Sequence, residues 1–239
     1  MTLLEVCVDT PAGLLAAAEN GADRIELCSA LATGGLTPTA GLMALAAALS
    51  IPTRAMIRPR GGSFVFDAAE CDVMLRDIDA ARAAGLEGIV IGAMTRDGLL
   101  DHALLERLMR HAQGLKITLH RAVDLLADPV EAVDPAIALG MSTILTSGGA
   151  RKAVDGVEVI AAMHERAHGG IEILAGSGVN AGNAQAILAA TGISALHASC
   201  SRPVTATDAR LLDLGFETPG RFETDGALVA ALRHAMRGA

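Results

Sequence analysis

The most chemically suggestive segment of the chain is residues 57–62, with the sequence IRPRGG. A guanidinium keeps its charge at physiological pH and offers fork-shaped donors that suit carboxylates and phosphates. The glycine pair lets the backbone bend or approach a ligand closely. The segment therefore predicts an anion-binding site at Arg58 and Arg60. The alternative is that these arginines form structural ion pairs with Glu26 and Asp124.

Three titratable side chains are candidates for proton transfer. An unperturbed imidazole titrates near neutral pH, which makes His120 the best candidate. Asp124 lies four residues further along the chain, where we expect it to orient the imidazole ring. Glu26 is the best candidate for an inward-facing carboxylate. The alternative is that His120 is a hydrogen-bonded histidine at the rim of the fold, without a catalytic role.

Short segments rich in glycine and serine predict further anion-binding groups. Gly176 and Gly178 leave backbone N–H groups exposed, and Asn180 is predicted to begin a helix whose N-terminus favours an anion. Ser199 adds a hydroxyl donor after the last predicted strand. The alternative is a plain turn into a helix. The predicted anion-binding residues are Arg58, Arg60, Arg121, Ser147, Gly176, Gly178 and Ser199.

The pattern Glu-x-Cys occurs twice, at residues 5–7 and 26–28, on consecutive predicted strands. Because side chains alternate along a strand, the Glu and the Cys of each pair point to the same side. Thiolates of Cys7 and Cys28 on neighbouring strands would suit a soft metal ion such as Cu(I). Two alternatives remain. The two thiols need not lie at the same level in a barrel, and a buried cysteine often packs as a small hydrophobic residue.

These residues lie at the ends of strands in a repeating unit, which consists of an alanine-rich helix, a glycine and a short β-branched strand. The unit recurs along the chain at a spacing close to the length of a βα step. Eight strands with eight helices predict a single-domain (β/α)8 barrel of the TIM type, in the α/β class. The third predicted strand ends at the Arg58 segment, and the others are residues 3–8, 24–28, 88–92, 115–120, 142–146, 171–175 and 194–198.

In such barrels the C-terminal strand ends form the active site, so we expect the candidate residues to meet on one face. A dinucleotide-binding sheet is the rival fold, because residues 176–181 match a loose GxGxxA fingerprint. That match follows the seventh strand, with too little chain beyond it, and no nucleotide cofactor is expected. We expect residues 201–239 to form a C-terminal loop and closing helix, irregular at 201–224 and helical at 225–236. Pro135 is predicted to kink or split the fifth helix.

The composition limits the classes of protein that fit the chain. Of the 239 residues, 51% are hydrophobic but only 2% are aromatic, so the predicted core is aliphatic and offers little stacking surface for nucleic acid. The net charge of −8 argues against nucleic-acid and anionic-membrane partners, and no apolar run is long enough to span a bilayer. Four scattered cysteines and the lack of a basic leader predict a cytoplasmic location.

Several motifs, spread from the first predicted strand to the eighth, resemble the CutC family, which is named for copper homeostasis. They include the His-Arg-Ala-Val-Asp segment at residues 120–124. The resemblance implies a (β/α)8-like barrel, a cytoplasmic location and a homodimer or higher homo-oligomer. It also implies a copper role, with Cys7 and Cys28 as the suspected Cu(I) ligands, and no accepted enzymatic activity. The similar motifs are residues 4–7, 20–28, 34–38, 57–62, 119–124, 145–149 and 175–179.

The chain departs from the family pattern at three positions. Val123 replaces the usual Phe of the His-Arg-Ala-Phe-Asp motif, and Ser63 stands where Asp is typical. Leu196 replaces a Glu that usually precedes His197, which weakens any prediction that the last strand supplies a carboxylate. Both cysteines of the suspected copper site are kept.

The sequence thus supports two functions. The first is copper homeostasis in the cytoplasm, with Cu(I) bound through Cys7 and Cys28. The alternative is a barrel enzyme of unknown reaction, which acts on a small phosphorylated or carboxylated metabolite by proton transfer at the C-terminal face. In that case the anion-binding residues would hold the metabolite, while His120 and Glu26 would move protons.

Overall fold

The structure is a computed structural model that describes residues 2–204, 208–216 and 220–237. Its centre is a closed barrel of eight parallel strands in chain order, which confirms the predicted (β/α)8 fold and excludes the dinucleotide-binding sheet. The strands are β1 (Leu3–Val8), β2 (Arg24–Leu27), β3 (Thr53–Met56), β4 (Gly88–Ile91), β5 (Lys116–Leu119), β6 (Thr143–Thr146), β7 (Glu172–Ala175) and β8 (Ala195–Ala198).

Helices surround the barrel, and an additional short hairpin follows it. The antiparallel strands β9 (Ser201–Pro203) and β10 (Phe222–Thr224) form the hairpin. No helix of the described ranges is long and apolar enough to cross a membrane. The helices are α1 (Pro11–Glu19), α2 (Ala40–Ala47), α3 (Ala68–Ala84), α4 (His102–His111), α5 (Val133–Ala138), α6 (Val157–Ala167), α7 (Ala184–Thr191), α8 (Ala209–Asp213) and α9 (Gly226–Met236).

Helix ends follow the local chemistry that the sequence predicts. The Thr10 hydroxyl accepts a hydrogen bond from the first turn of α1, and the Asp225 carboxylate does the same at α9. A separate 3₁₀ helix (Pro129–Ala132) precedes α5, so the fifth helical segment is split as predicted, but the division lies after Ala132 and Pro135 sits in the first turn of α5. The closing helix was predicted within one residue of its observed start.

Two parts of the prediction were wrong. Residues 201–224 are not wholly irregular, because they contain the β9–β10 hairpin and α8; residues 205–207 and 217–219 lie outside the described ranges. Helix α7 begins at Ala184 and not at Asn180. Asn180 Oδ1 accepts a hydrogen bond from Gly182 N, and Asn183 Oδ1 accepts one from Asn180 N. These side chains stabilise a turn in place of a helical start.

The barrel interior near the N-terminal strand ends is polar. Arg24 Nε lies 2.5 Å from Glu5 Oε2, and Arg24 Nη2 lies 2.7 Å from Glu172 Oε1. Both partners lie on strands close to Arg24 in the closed barrel, which lets one guanidinium bridge two carboxylates. We call this group the lower polar layer; its members are Glu5, Arg24, Arg54, Glu87, Thr118, Thr143 and Glu172.

Arg54 completes the lower polar layer on the other side of the barrel. Its Nη1 donates to the hydroxyls of Thr118 and Thr143, each at 2.8 Å, and its Nε lies 3.2 Å from Glu87 Oε2. No buried side-chain N or O atom of the layer lacks a hydrogen-bond partner in the described structure. The layer therefore fills the barrel interior beneath the C-terminal strand ends with polar groups that are paired with one another. The main apolar core packs between the barrel and its helices.

Candidate functional site

A cavity of about 700 Å³ opens at the C-terminal end of the barrel. We call it the mouth cavity. Residues on or just after strands β1, β2, β3, β5, β6, β7 and β8 line it, as barrel geometry predicts. The candidates that line it are Cys7, Glu26, Arg58, His120, Arg121, Asp124, Gly178 and Ser199, whereas Cys28, Arg60, Ser147 and Gly176 do not.

Three adjacent strands bring a thiol, a carboxylate and an imidazole together in the mouth cavity. Cys7 on β1 is in register with Glu26 on β2, and His197 on β8 is in register with Glu5 on β1. One ligand atom each from Cys7, Glu26 and His197 lies within 4.8 Å of the other two, and all three residues are buried. We call these three residues the Cys–Glu–His cluster.

The lower polar layer holds the histidine of this cluster in place. His197 Nδ1 lies 2.8 Å from Glu5 Oε1, and Glu5 is itself paired with Arg24. Burial opposes ionisation of Glu5, but the His197 hydrogen bond and the Arg24 charge lower the pKa of this carboxyl to about 2. Burial also opposes ionisation of His197, but the neighbouring Cys7 and Glu26 raise the pKa of its imidazole well above the usual value. The remaining nitrogen, Nε2, lies 3.8 Å from Glu26 Oε2.

Glu26 and Cys28 meet beneath the cavity wall. The Cys28 thiol donates to Glu26 Oε2 across 3.6 Å, while Glu26 Oε1 is buried without any hydrogen-bond partner. Burial raises the pKa of the Glu26 carboxyl, and burial together with the Glu26 charge raises that of the Cys28 thiol. The structure thus brings Cys28 next to the Cys–Glu–His cluster without making it a member.

Arg58 reaches the mouth cavity from the loop after β3, where it is only 5% exposed. Its Nη1 donates to the carbonyls of Thr33 and Gly35, and its Nη2 donates to that of Gly62. Its Nε has no partner. Within the described ranges no carboxylate forms an ion pair with this guanidinium. The alternative in which Arg58 pairs with Glu26 or Asp124 is therefore wrong.

Arg60 is held away from the cavity by a structural ion pair. Its Nε lies 2.5 Å from Glu70 Oε1 in the first turn of α3, and its Nη2 donates to the carbonyl of Val65. The guanidinium also lies 5.3 Å from the ring centroid of Phe66. The structural alternative is therefore right for Arg60, although the partner is Glu70 and neither Glu26 nor Asp124.

His120 lies at the end of β5 and is almost fully buried. Its Nδ1 accepts the N–H of Ala122 at 3.1 Å, and its Nε2 has no partner. Burial, with the charge of Arg58, lowers the pKa of this imidazole to about 3. A Cβ on Gly92 would lie 2.3 Å from the His120 ring, so the ring occupies space that only a glycine leaves open.

The prediction that Asp124 orients His120 was wrong. Asp124 accepts hydrogen bonds from Arg121 Nε at 2.8 Å and from Thr146 Oγ1 at 2.6 Å, and the backbone and hydroxyl of Ser147 bond to it as well. It thereby fixes the loop after β6 against the segment after β5. Arg121 lines the cavity, but part of its guanidinium is bonded to Asp124. Ser147, which also bonds to Asp124, is wholly buried.

The predicted phosphate loop after β7 is only partly available to a ligand. Gly176 N donates to the carbonyl of Thr146 within the sheet, and Gly178 lines the cavity with a φ of +71°. Because α7 begins at Ala184, no helix starts at Asn180 to attract an anion. Ser199 lines the cavity, and its hydroxyl lies 2.9 Å from that of Ser201.

The sequence did not single out His197, Phe64 or Gly92 as site residues. His197 could have been found from strand periodicity, since it alternates with two apolar residues on β8 and therefore faces the barrel interior. Phe64 packs against His120, with ring centroids 4.7 Å apart, but no local signal places it there. Gly92 follows the buried strand β4, and its local sequence is that of an ordinary strand end. Its role is to leave room for His120 from β5, which the local sequence does not indicate.

Comparisons with known proteins agree with this architecture. The family model described as the CutC family matches residues 2–202. Proteins named family protein CutC share 54% identity over 97% of the chain in Agrobacterium fabrum, and 52% over 97% in Sinorhizobium medicae, covering 92% and 94% of those proteins.

A solved structure supports the same assignment. The crystal structure of a candidate copper homeostasis protein, CutC, from Streptococcus agalactiae has a TM-score of 0.79 and 33% sequence identity to the chain. The match covers 83% of this chain and 99% of that one. The resemblance seen in the sequence motifs is thus confirmed over nearly the whole barrel, and this chain belongs to the CutC family.

Proposed function

We propose that the chain binds a transition-metal ion at the Cys–Glu–His cluster, with copper as the expected metal. The observation that carries the proposal is the approach of Cys7, Glu26 and His197 ligand atoms to within 4.8 Å of one another on the wall of a cavity. Thiolate and imidazole ligands both suit copper. The family of the chain and the description of its streptococcal relative support copper over other metals with the same ligand preference.

The surroundings of the cluster fit a metal ion. A metal-ligating histidine usually donates its second ring N–H to a carboxylate, and His197 Nδ1 has such a partner in Glu5. This leaves Nε2 for the metal. Glu26 Oε1 is buried without a partner, which is costly unless a cation or a donor reaches it. The cluster would therefore supply one sulfur, one nitrogen and one oxygen.

Cys28 is proposed as an additional ligand. It contacts Glu26 Oε2 and packs with the thioether side chain of Met56 in a small buried group beside the cavity. A Cβ on Gly35 would lie 3.0 Å from Cys28 Sγ and 3.5 Å from Met56 Cε, so both side chains adjoin that glycine. Soft sulfur ligands close to the cluster favour Cu(I) over harder ions.

A competition titration with a chromogenic Cu(I) chelator tests the proposal. We expect Cys7→Ser and His197→Gln to weaken Cu(I) binding about tenfold or more, and Cys28→Ser to weaken it less, because Cys28 lies outside the cluster. Cys71→Ser is the matched control, since Cys71 is a buried cysteine on α3 that does not line the mouth cavity. Equal affinity in the wild type and Cys7→Ser would refute the thiolate site.

A second candidate function is that of a barrel enzyme acting on a small anionic metabolite. The observation that favours it is the cavity volume of about 700 Å³, which is far more than a metal ion needs and is typical of pockets for small organic ligands. In this proposal Arg58 binds the anion and Glu26 moves a proton. Mass spectrometry of metabolites released from the purified protein tests it, with Glu26→Gln assayed on any metabolite found. A wild type that carries and converts none of a broad metabolite panel would refute it.

Assembly into a homodimer or higher homo-oligomer is a proposal that rests on the family resemblance. Exposed apolar side chains near the C-terminus support it, because Phe216 is 79% and Phe222 is 59% exposed in the single chain. Light scattering coupled to size-exclusion chromatography tests it directly. A monomer at micromolar concentration would contradict it.

A further inference from the structure

The mouth cavity holds a second polar group, which the proposed metal site does not use. Arg58, Phe64 and His120 come from the segments after β3 and β5. The Arg58 guanidinium carbon lies 4.7 Å from the centroid of the Phe64 ring, and the His120 ring centroid lies 4.7 Å from the same point. Phe64 therefore holds a guanidinium and an imidazole close together at the cavity wall.

Arg58 is a buried cation without a counter-ion. Every other buried arginine of the described chain pairs with a carboxylate, as Arg24 and Arg54 do in the lower polar layer. Arg58 instead has three backbone carbonyls at its terminal nitrogens and a free Nε–H. Because burying an uncompensated charge is costly, the site is suited to an anion that completes it.

His120 offers a donor of defined tautomer. Its Nδ1 accepts the Ala122 N–H, so in the neutral ring the proton is on Nε2. That N–H is buried and has no acceptor. The ring stays neutral at physiological pH because burial and the Arg58 charge disfavour the imidazolium. His120 is thus arranged to donate a hydrogen bond, and this replaces the proton-transfer role predicted from the sequence.

We infer that Arg58 Nε–H and His120 Nε2–H form a two-donor site for the carboxylate of a small organic acid. Two unpartnered donors beside the same Phe64 ring and one positive charge match a group with two oxygens and one negative charge. A phosphate ester has three terminal oxygens and close to two charges, and it would leave acceptors unsatisfied here. Apolar side chains of Leu31, Met56 and Leu145 line the same cavity and suit the carbon skeleton of the acid.

The inference deepens the second candidate function, because it names the class of metabolite, and it is independent of the metal site. Nuclear magnetic resonance tests its structural basis. We expect long-range ¹⁵N–¹H spectra of ¹⁵N-histidine protein to show one ring, absent in His120→Asn, as the neutral Nε2–H tautomer at pH 7. The Asn side chain keeps an acceptor for Ala122 N, so this variant is expected to fold. An imidazolium or an Nδ1–H tautomer for His120 would overturn the inference.

Binding of simple probes tests the ligand class. We expect butyrate to shift the His120 Nε2–H resonance in metal-free protein, and butyramide and inorganic phosphate to bind at least about tenfold more weakly, since each lacks the match to two donors and one charge. Arg58→Lys and His120→Asn are each expected to weaken butyrate binding about tenfold. The exposed Arg107→Lys is the control. Tighter binding of phosphate than of butyrate would overturn the inference, as would equal butyrate affinity in His120→Asn.

The two proposals fail in different ways. A protein that binds butyrate as described but converts no metabolite refutes the enzyme and leaves the carboxylate site standing. A protein that converts a metabolite without a carboxylate, and does so equally well in His120→Asn, refutes the carboxylate site and leaves the enzyme standing.

Discussion

The lower polar layer and the mouth cavity are two polar regions of one barrel interior, and they differ in how completely their groups are paired. Arg24 and Arg54 in the lower layer bond to carboxylates and hydroxyls at 2.5–3.2 Å. In the described structure, the only three buried side-chain N or O atoms without partners are Glu26 Oε1, Arg58 Nε and His120 Nε2, and all three residues line the mouth cavity.

The paired charges of the lower polar layer stabilise the fold, whereas the unpaired atoms of the mouth cavity are the groups that we propose bind a ligand. A native protein rarely leaves buried polar atoms unpaired, because each unpaired atom lowers the free energy of unfolding. When the exceptions are confined to one cavity, they mark the groups that a ligand completes. The lower polar layer is the converse case, since its buried charges are paired within the protein. Through Glu5 the layer also positions the Cys–Glu–His cluster.

The largest effect is expected from breaking the lower layer. Arg24→Met removes one cation and leaves the Glu5 and Glu172 carboxylates without their arginine partner. We expect the free energy of unfolding to fall by about 3–5 kcal/mol. Urea denaturation measures it, with Arg107→Met as the control, because the exposed Arg107–Asp72 pair contributes at most about 1 kcal/mol. Similar losses in both variants would contradict the structural role of the layer.

A smaller effect is expected from adding one methyl group beside the mouth. Gly92→Ala would place a Cβ 2.3 Å from the His120 ring, which forces the ring to move. We expect a loss of about 1–3 kcal/mol in the free energy of unfolding and a shifted His120 resonance. Gly41→Ala is the control, since nothing lies within 4 Å of a Cβ there and alanine favours the helix α2. An unchanged His120 resonance in Gly92→Ala would contradict the close contact between the ring and position 92.

The pH dependence of stability tests the burial of His120. The pKa of its imidazole falls from an ordinary 6.5 to about 3 in the fold, so below pH 6.5 the unfolded chain binds a proton that the folded chain does not. Stability is therefore lost as the pH falls from 6.5 towards 3. Between pH 7.5 and 5 we expect the wild type to lose about 2 kcal/mol more than His120→Asn. Parallel pH profiles of the two proteins in urea denaturation would contradict a buried neutral ring.

The smallest change in stability is expected from an unpaired group itself. Glu26→Gln removes a buried carboxylate that lacks a partner at Oε1, and it keeps the side-chain volume. We expect the free energy of unfolding to stay within about 1 kcal/mol of the wild type, because the lost interactions are offset by the lower cost of burying an amide. Cu(I) affinity is nevertheless expected to fall. A loss of stability as large as that of Arg24→Met would place Glu26 with the structural layer.

The sequence was sufficient to predict the fold, and most of the candidate residues that it indicated line the cavity. Periodic helices, glycine-marked helix ends and strand-end polar residues all act locally, and they placed Cys7, Glu26 and Arg58 correctly. Pairings were harder to predict. Asp124 follows His120 in the chain, but the fold turns its carboxylate towards the loop after β6.

Such errors share a physical origin. Partner choice between strand-end residues depends on the register and stagger of strands that are distant in the chain, and one sequence carries no direct record of either. The Arg60–Glu70 pair was missed although its residues are close in the chain, since it forms across a loop whose path the residue types do not specify. Strand periodicity turns His197 towards the barrel interior, but its pairing with Glu5, 192 residues away, leaves no local signal.

The glycines at the ends of β4 and β7 have a consequence for how this barrel changes over evolution. A Cβ on Gly92 would overlap the His120 ring, and one on Gly176 would lie 3.2 Å from His197 Cδ2 and 2.6 Å from a methyl group of Leu145. Gly92 therefore leaves the volume that the His120 ring fills, whereas Gly176 leaves room mainly for Leu145 and only secondarily for His197. In an alignment of relatives, Gly92 and His120 should therefore be replaced together, and a chain that loses this histidine is free to gain a side chain at the glycine position.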